Sequence, residues 1–190
     1  GPNGAGKTST FYIIAGLMNP DDGKIILSNK DISKLPMHKR SKLGIKYLPQ
    51  EPSIFQNLTV YENLLGLAEL SFKNKKDITD FVSNSIEEFG LSDITQLKGR
   101  QLSGGQRRKV EIARTLAAKP KIILLDEPFA GIDPIAIEDI KKVLKKLSGK
   151  GIGILITDHN VRETLEICNE AAIISNGEII SKGSKEKLIN

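Results

Sequence analysis

The sequence predicts an α/β fold in which a parallel sheet is flanked by helices and interrupted by an all-helical insertion. Residues 122–125 and 152–156 are nearly continuous apolar runs, typical of parallel strands that are buried on both faces. A helix predicted over residues 134–147 lies between them, as the crossover of a βαβ unit requires. From about residue 59 to residue 100 the apolar residues recur at helical spacing instead. We therefore expect a single domain, with a core formed by residues 1–58 and 101–190 and a helical subdomain over about 59–100.

Caps, turns and prolines mark the ends of the other elements. A turn sequence at 19–23 follows the first helix, and Pro49 stops a strand. Thr59 and Glu62 have the spacing of a capping box, and Asn176-Gly177 is a typical hairpin turn. The predicted elements are, in chain order, a helix over 9–17, a strand over 24–27, a helix over 37–43, a strand over 45–48, helices over 59–70, 78–89 and 106–118, and a hairpin over 171–174 and 178–180.

The chain begins with a glycine-rich octet that predicts a binding site for a nucleoside triphosphate. It reads Gly1-Pro2-Asn3-Gly4-Ala5-Gly6-Lys7-Thr8 and fits the phosphate-binding P-loop pattern. Glycine lets consecutive N–H groups turn inward around a polyphosphate, and the helix that starts at Ser9 directs its positive end at the same site. Lys7 is expected to contact the β- and γ-phosphates, and Thr8 to offer a hydroxyl to Mg²⁺. The strand that normally precedes such a loop is not seen, so we expect the chain to lack its true N-terminus.

Polar residues follow three of the predicted strands, at the edge of the sheet where the phosphates are expected. Asp126 and Glu127 end one apolar strand, His159 follows the next, and Gln50 follows the strand over 45–48. Ligands of α/β sheets bind beyond the carboxyl ends of the strands. Asp126 is therefore predicted to hold Mg²⁺, Glu127 to orient or deprotonate a water, and His159 to sense the γ-phosphate. A lone histidine is more often structural, and only its position gives this one a role.

A second anion site is predicted at Leu102-Ser103-Gly104-Gly105-Gln106, directly before the helix over 106–118. The hydroxyl and the N–H groups at a helix N-terminus can bind a phosphate. The alternative is that Ser103 only caps the helix. The position of the motif shortly before the strand that ends in Asp126 favours the anion site.

The composition limits the other classes of partner. The net charge of +5 comes from lysines spread along the chain, so we expect no nucleic-acid partner, and Arg107-Arg108-Lys109 is expected near a dimer interface or solvent. Cys168 is the single cysteine, which excludes an intrachain disulfide and fits a reducing cytosol.

No apolar run in the sequence reaches the ~18 residues that a membrane-spanning helix needs.

In their order along the chain these motifs resemble those of the ATP-binding cassette (ABC) ATPases, over essentially all 190 residues. The resemblance implies a P-loop NTPase core and a head-to-tail homodimer with two ATP molecules, each with Mg²⁺, at its interface. The resemblance implies that Gln50 is the Q-loop glutamine that contacts nucleotide and metal, that Asp126 is the Walker B aspartate and that Glu127 is the catalytic base. It also implies that Asp133 is the D-loop residue and that His159 is the switch histidine. The implied signature, which acts in trans on the partner's ATP, consists of Leu102, Ser103, Gly104, Gly105 and Gln106.

Residues 48–55, 126–134 and 156–165 resemble more closely the ATPase subunit of Gram-negative lipopolysaccharide export systems. That resemblance implies two transmembrane permease partners and a cytoplasmic subunit that is peripheral on the inner membrane. We expect the permease to dock near Gln50 to Leu64, where Ile54 and Phe55 should be exposed as apolar anchors. The alternative is the ATPase of a branched-chain amino-acid importer, which shares the first octet. An ABC ATPase acting on DNA is disfavoured, because no sustained heptads separate the octet from the signature.

Overall fold

The structure is a computed structural model and describes residues 4–189. Its helices and strands are, in chain order, α1 Lys7–Ala15, β1 Ile26–Leu27, β2 Lys30–Asp31, α2 Met37–Lys42, β3 Ile45–Leu48, α3 Val60–Ser71, α4 Lys75–Glu88, α5 Gly104–Leu116, β4 Ile122–Asp126, α6 Pro134–Gly149, β5 Gly153–Thr157, α7 Val161–Leu165, β6 Ala171–Ser175, β7 Glu178–Gly183 and α8 Lys185–Ile189. The predicted α/β class is confirmed. Among these residues no helix is both long and apolar enough to cross a membrane.

Helix caps explain why several helices begin a few residues before their predicted starts. α1 begins at Lys7, directly after Gly6, whose φ of 98° breaks the preceding chain direction. α4 begins at Lys75 because the Asn74 side chain accepts the N–H of Asp77. α5 begins at Gly104, with Ser103 as its cap. Side-chain caps depend on local geometry, so apolar spacing alone does not locate them.

Two compact units make up the chain. The first comprises the residues up to Tyr47, Lys121–Ala130, and the residues from Ile152 onward, while the second comprises Leu48–Pro120 and Gly131–Gly151. The first unit holds most of the strands, and the second holds the longer helices α3 to α6. The division predicted from the sequence, with a helical subdomain over about 59–100, stays a prediction.

The first unit contains the sheet that carries the predicted catalytic residues. Its strand order is β3-β4-β5, and β4 and β5 run parallel with Asp126 opposite Thr157. β4 is buried along nearly its whole length, as predicted. The prediction that the following strand is buried on both faces is wrong: Gly153 and Leu155, which share one face of β5, are both exposed, so that face is not fully covered.

The core of the first unit forms where α1 packs against the sheet. Its fully buried apolar side chains are Phe11, Ala15, Ile32, Ile45 and Leu124. Arg40 is also completely buried beside this core, and its guanidinium donates to four main-chain carbonyls, those of Ile13, Ile14, Ser33 and Leu35. A cation at the C-terminal end of a helix is electrostatically favourable, so Arg40 fixes the end of α1 opposite the glycine-rich loop.

In the second unit, α5 packs closely against α6 and α3 against α4. Gly105 makes the first contact possible, because a Cβ on it would lie 2.3 Å from the Cβ of Ala136. Asn63 of α3 is fully buried, and its amide nitrogen donates to the carbonyls of Phe55, Leu58 and Thr59. The segment before α3 is thereby held on the helix that it introduces.

Candidate active site

The glycine-rich loop has the backbone geometry expected of a phosphate site. Gly4 and Gly6 have φ angles of 77° and 98°, in the left-handed region that glycine adopts without strain. Ala5 between them is buried, while Thr8 and Ser9 are exposed in the first turn of α1. The N-terminus of α1 therefore opens at the loop, with Lys7 as the first helical residue. Gly1, Pro2 and Asn3 of the predicted octet lie outside the described residues.

The turn of the C-terminal hairpin supports this loop. The N–H of Gly177 donates to the carbonyl of Ala5 at 3.1 Å. A Cβ on Gly6 would lie 3.7 Å from the Cα of Gly177, so the two backbones are in close contact. The sequence predicted the hairpin, but nothing in its pattern indicated this contact.

Asp126, at the end of β4, is surrounded by hydroxyl groups. Its side chain is buried, with the Tyr47 hydroxyl 3.2 Å from Oδ2 and the Thr8 hydroxyl 3.5 Å from Oδ1. The Thr157 hydroxyl also donates to Oδ1. Burial, and then the charge of Asp126, raise the pKa of Tyr47 well above its ordinary value, so its hydroxyl stays protonated and can donate. Thr8 and Asp126, both predicted to bind metal, are thus brought together.

Glu127 and His159 meet beyond the ends of neighbouring strands. The N–H of Glu127 donates to the Thr157 carbonyl at 2.8 Å, and the Glu127 φ of 43° lies in the left-handed region. That conformation costs a residue with a side chain about 1–2 kcal/mol. Glu127 Oε2 lies 3.3 Å from His159 Nδ1, and the side chains of Glu127 and His159 are 15% and 54% exposed. The pair is therefore fixed at one end and open to solvent at the other.

Asp158 holds the segments on either side of this pair. It is buried, and its two carboxylate oxygens accept the N–H groups of Phe129, at 3.3 Å, and Asn160, at 2.8 Å. Phe129, two residues after Glu127, and Asn160, the residue after His159, are therefore held by one carboxylate. The Nδ1 of His159 lies 3.7 Å from the same carboxylate, which helps to orient the ring.

Sequence reasoning missed Tyr47, Thr157 and Asp158 as parts of this site. Thr157 and Asp158 directly precede His159 at the carboxyl end of β5, and that position was an available signal. Tyr47 lies near the end of β3, three residues before Gln50, and offered a weaker signal of the same kind. That the Tyr47 and Thr157 hydroxyls both donate to Asp126 depends on the strand order, which places β4 between β3 and β5.

The other predicted binding residues belong to the second unit. Ser103 caps α5: its Oγ accepts the Gln106 N–H at 3.2 Å, and the Gln106 side chain accepts the Ser103 N–H at 3.0 Å. Leu102 and Gly105 are buried, whereas Ser103 and Gly104 are exposed. Asp133 is exposed and caps α6 by accepting the N–H of Ala136 at 2.9 Å. Gln50 is an exposed residue just after β3.

Two expectations about exposed residues of the second unit are wrong. Ile54 is buried with 5% exposure, while its neighbour Phe55 is 51% exposed. Arg108 is buried rather than at an interface or in solvent, because its guanidinium donates to the Pro49 carbonyl at 3.0 Å and pairs with Glu111 at 3.2 Å. A cation can be buried when it is paired in this way.

The fold and this arrangement of residues define an ATP-hydrolysing cassette, and the chain belongs to the ABC transporter family, whose model matches residues 1–130. It is 55% identical to the lipopolysaccharide export system ATP-binding protein LptB of Haemophilus influenzae over 100% of this chain and 79% of that protein. Identity to LptB of Escherichia coli K12 is 50%, with the same coverage.

Solved structures of ATP-binding cassettes share the fold. MJ1267, described as an ATP-binding cassette of an ABC transporter, is 31% identical with a TM-score of 0.90, over 100% of this chain and 80% of that one. The cassette MJ0796, described as dimeric in a post-hydrolysis state with ADP and phosphate, is 26% identical with a TM-score of 0.82, over 96% and 82% of the two chains. The resemblance to ABC ATPases inferred from the motifs is thus confirmed.

Proposed function

We propose that this chain is the ATP-hydrolysing subunit that powers the export of lipopolysaccharide from the inner membrane. The observation that carries the proposal is the high identity to lipopolysaccharide export subunits along the whole chain. The pairing of Glu127 with His159 beside Asp126 supplies the chemistry. ATP is the substrate, and its phosphates bind at Gly4 to Ser9, with Gly1 to Asn3 completing the loop.

Hydrolysis in this proposal depends on the Glu127 carboxylate acting as general base on the attacking water. Its neighbour His159 contacts the γ-phosphate, and the contact between Nδ1 and Glu127 Oε2 orients the ring towards it. Lys7 binds the β- and γ-phosphates as a point charge. The left-handed backbone at Glu127 aims the carboxylate away from the direction that β4 would give it, which supports a functional reason for the strain.

The residues around Asp126 fit Mg²⁺. This ion prefers oxygen ligands and usually takes one or two carboxylates together with substrate phosphates. The Thr8 hydroxyl and the Asp126 carboxylate, 3.5 Å apart, are such ligands, and Gln50 is proposed as a further one. When bound, the ion neutralises charge that develops on the transferred phosphoryl group.

The second anion site would act on the nucleotide of a partner copy. Ser103, Gly104 and the exposed N-terminus of α5 lie in the unit without the glycine-rich loop. In a head-to-tail homodimer, Leu102 to Gln106 and Asp133 of each copy complete the ATP site of the other. The dimeric cassette MJ0796 supports this arrangement.

We further propose that two transmembrane permease subunits dock on the segment from Gln50 to Leu64 and hold the chain at the cytoplasmic face of the inner membrane. Phe55, Leu58 and Tyr61 expose apolar surface there, and an amphipathic helix of the partner could cover it. No nucleic-acid partner is proposed.

The test is transport by the full-length protein purified with its two permease subunits. In proteoliposomes that contain lipopolysaccharide, ATP should drive lipopolysaccharide out of the membrane, and Glu127→Gln should stop the transfer. A complex that instead imports leucine, isoleucine or valine with ATP and leaves lipopolysaccharide in place would establish the importer and overturn the proposal.

A further inference from the structure

We propose that Tyr47 and Thr157 are positioning residues that hold the two oxygens of the Asp126 carboxylate in the orientation that binds Mg²⁺. This inference rests on the proposed function, because it assigns Asp126 to the metal. The inference adds two residues to the site, Tyr47 and Thr157, each of which contributes one hydroxyl group. No sequence motif predicted a role for either residue.

The first step of the argument is the geometry of the hydrogen bonds. The Tyr47 hydroxyl donates to Oδ2 at 3.2 Å, and the Thr157 hydroxyl donates to Oδ1. Each oxygen therefore has its own donor, and rotation of the carboxylate about its Cβ–Cγ bond would break both bonds. The donors come from opposite sides, because Tyr47 lies on β3 and Thr157 on β5, the two strands that flank β4.

The second step is that both donors are themselves fixed. The Tyr47 ring packs edge-on against Phe11, with centroids 6.4 Å apart, and against Tyr12, with centroids 5.9 Å apart. Both of these rings belong to α1, the helix that begins with Lys7 and Thr8. Thr157 is buried and its carbonyl accepts the Glu127 N–H. The hydroxyls therefore place Asp126 relative to α1 on one side and relative to Glu127 on the other.

The third step concerns what the metal requires. Mg²⁺ demands near-ideal octahedral geometry with short ligand distances, so a carboxylate that can rotate binds it less well. Hydrogen bonds to a ligating carboxylate typically contribute 10–100-fold to metal affinity. We expect each hydroxyl to affect the affinity for the metal far more than the affinity for the nucleotide, which is bound mainly by the loop and Lys7.

The experiment measures metal binding without turnover. Full-length protein is saturated with ADP, and the dissociation constant for Mn²⁺, a spectroscopic substitute for Mg²⁺, is measured by electron paramagnetic resonance. Tyr47→Phe and Thr157→Val should each raise this constant about 10–100-fold. Affinity for ADP in the presence of a chelator should change less than about threefold, because the metal contributes nothing under that condition.

Conservative variants control for packing. Thr157→Ser keeps the hydroxyl and should retain Mn²⁺ affinity within about threefold of the wild type. Tyr47→Phe itself keeps the ring that packs against Phe11 and Tyr12, so it removes the hydroxyl with little change in packing. If Tyr47→Phe and Thr157→Val keep Mn²⁺ affinity within twofold of the wild type while Asp126→Asn strongly weakens Mn²⁺ binding, the positioning role alone is overturned. Unchanged Mn²⁺ affinity in Asp126→Asn would overturn the metal site itself.

Discussion

The guanidinium of Arg114 lies over the ring of Phe55, with its central carbon 4.8 Å from the ring centroid. Arg114 also donates to the Ser53 carbonyl and to the Asn63 side chain, both at 3.1 Å. One helical turn earlier, Glu111 accepts the Ser53 N–H at 2.7 Å. The helix that begins at the signature sequence therefore holds the backbone that presents Phe55, so the exposed ring is a fixed feature of the surface.

Phe55→Ala should weaken binding to the permease and reduce transport. The ring is half exposed, so its loss should cost the fold only about 1 kcal/mol, a common effect of a single substitution. Co-purification of the variant with the permease measures the first effect, and the thermal unfolding midpoint measures the second. Ile54→Ala is the matched contrast, since this buried side chain should cost about 2–5 kcal/mol. A Phe55→Ala variant that unfolds early but binds its permease normally would contradict the docking surface.

Glu127→Gln should retain ATP binding and lower the rate of hydrolysis by about 10²–10⁴-fold, the range typical of a general acid–base group. The amide keeps the size of the side chain but cannot take a proton from water. The variant should also accumulate as an ATP-bound dimer, which size-exclusion chromatography with ATP would detect. Glu170→Gln, an exposed carboxylate elsewhere in the same unit, serves as the control. Hydrolysis at the wild-type rate in Glu127→Gln would remove the residue from this role.

Mixing two inactive chains should restore one working site in each mixed dimer. Ser103→Arg blocks the second anion site, whereas Lys7→Ala removes the phosphate-binding charge. In a mixed dimer, Lys7 of the first chain faces the intact Ser103 of the second, so ATPase activity should exceed the sum of the separate variants. Activity no higher than that sum, in a mixture shown to contain mixed dimers, would count against sites shared between copies.

Glu88→Gln should lower stability near neutral pH and have little effect in acid. Burial raises the pKa of Glu88, but the hydrogen bonds and charges of Lys150 and Lys146 outweigh it and lower the pKa below 4.5. A lowered carboxyl pKa stabilises the fold above pH 4.5, and this stabilisation is lost as the pH falls through the folded-state value. Urea unfolding of both proteins between pH 7 and pH 3 measures the difference, with exposed Glu87→Gln as the control. A difference that grows below pH 4 would contradict the assignment.

The sequence predicted those features that depend on residues close together along the chain. Glycine spacing, the apolar run before Asp126 and the cap at Asp133 each signal their structure locally, and the structure agrees with the predicted strand and helix. Helix starts shifted where a side chain such as Asn74 formed an unrecognised cap. Most of the α/β fold was therefore predictable from pattern and motif.

Contacts between distant residues were not predictable in the same way. The bond between Tyr47 and Asp126 joins residues 79 positions apart, and the bond between Arg108 and Pro49 joins residues 59 positions apart. Each depends on which elements become neighbours. The exposure of Leu155 has the same origin, because an apolar strand pattern does not reveal whether another element covers that face of the sheet.

Gly105 gives the signature sequence a second constraint that is independent of nucleotide binding. A side chain at this position would meet Ala136 at 2.3 Å, so α5 and α6 could not approach as closely as they do. Loss of activity after substitution of Gly105 would therefore report a displaced helix pair as readily as a lost phosphate contact. Gly104, where a Cβ would come no closer than 3.4 Å to its surroundings, is the position at which a mutational study can separate ligand binding from folding.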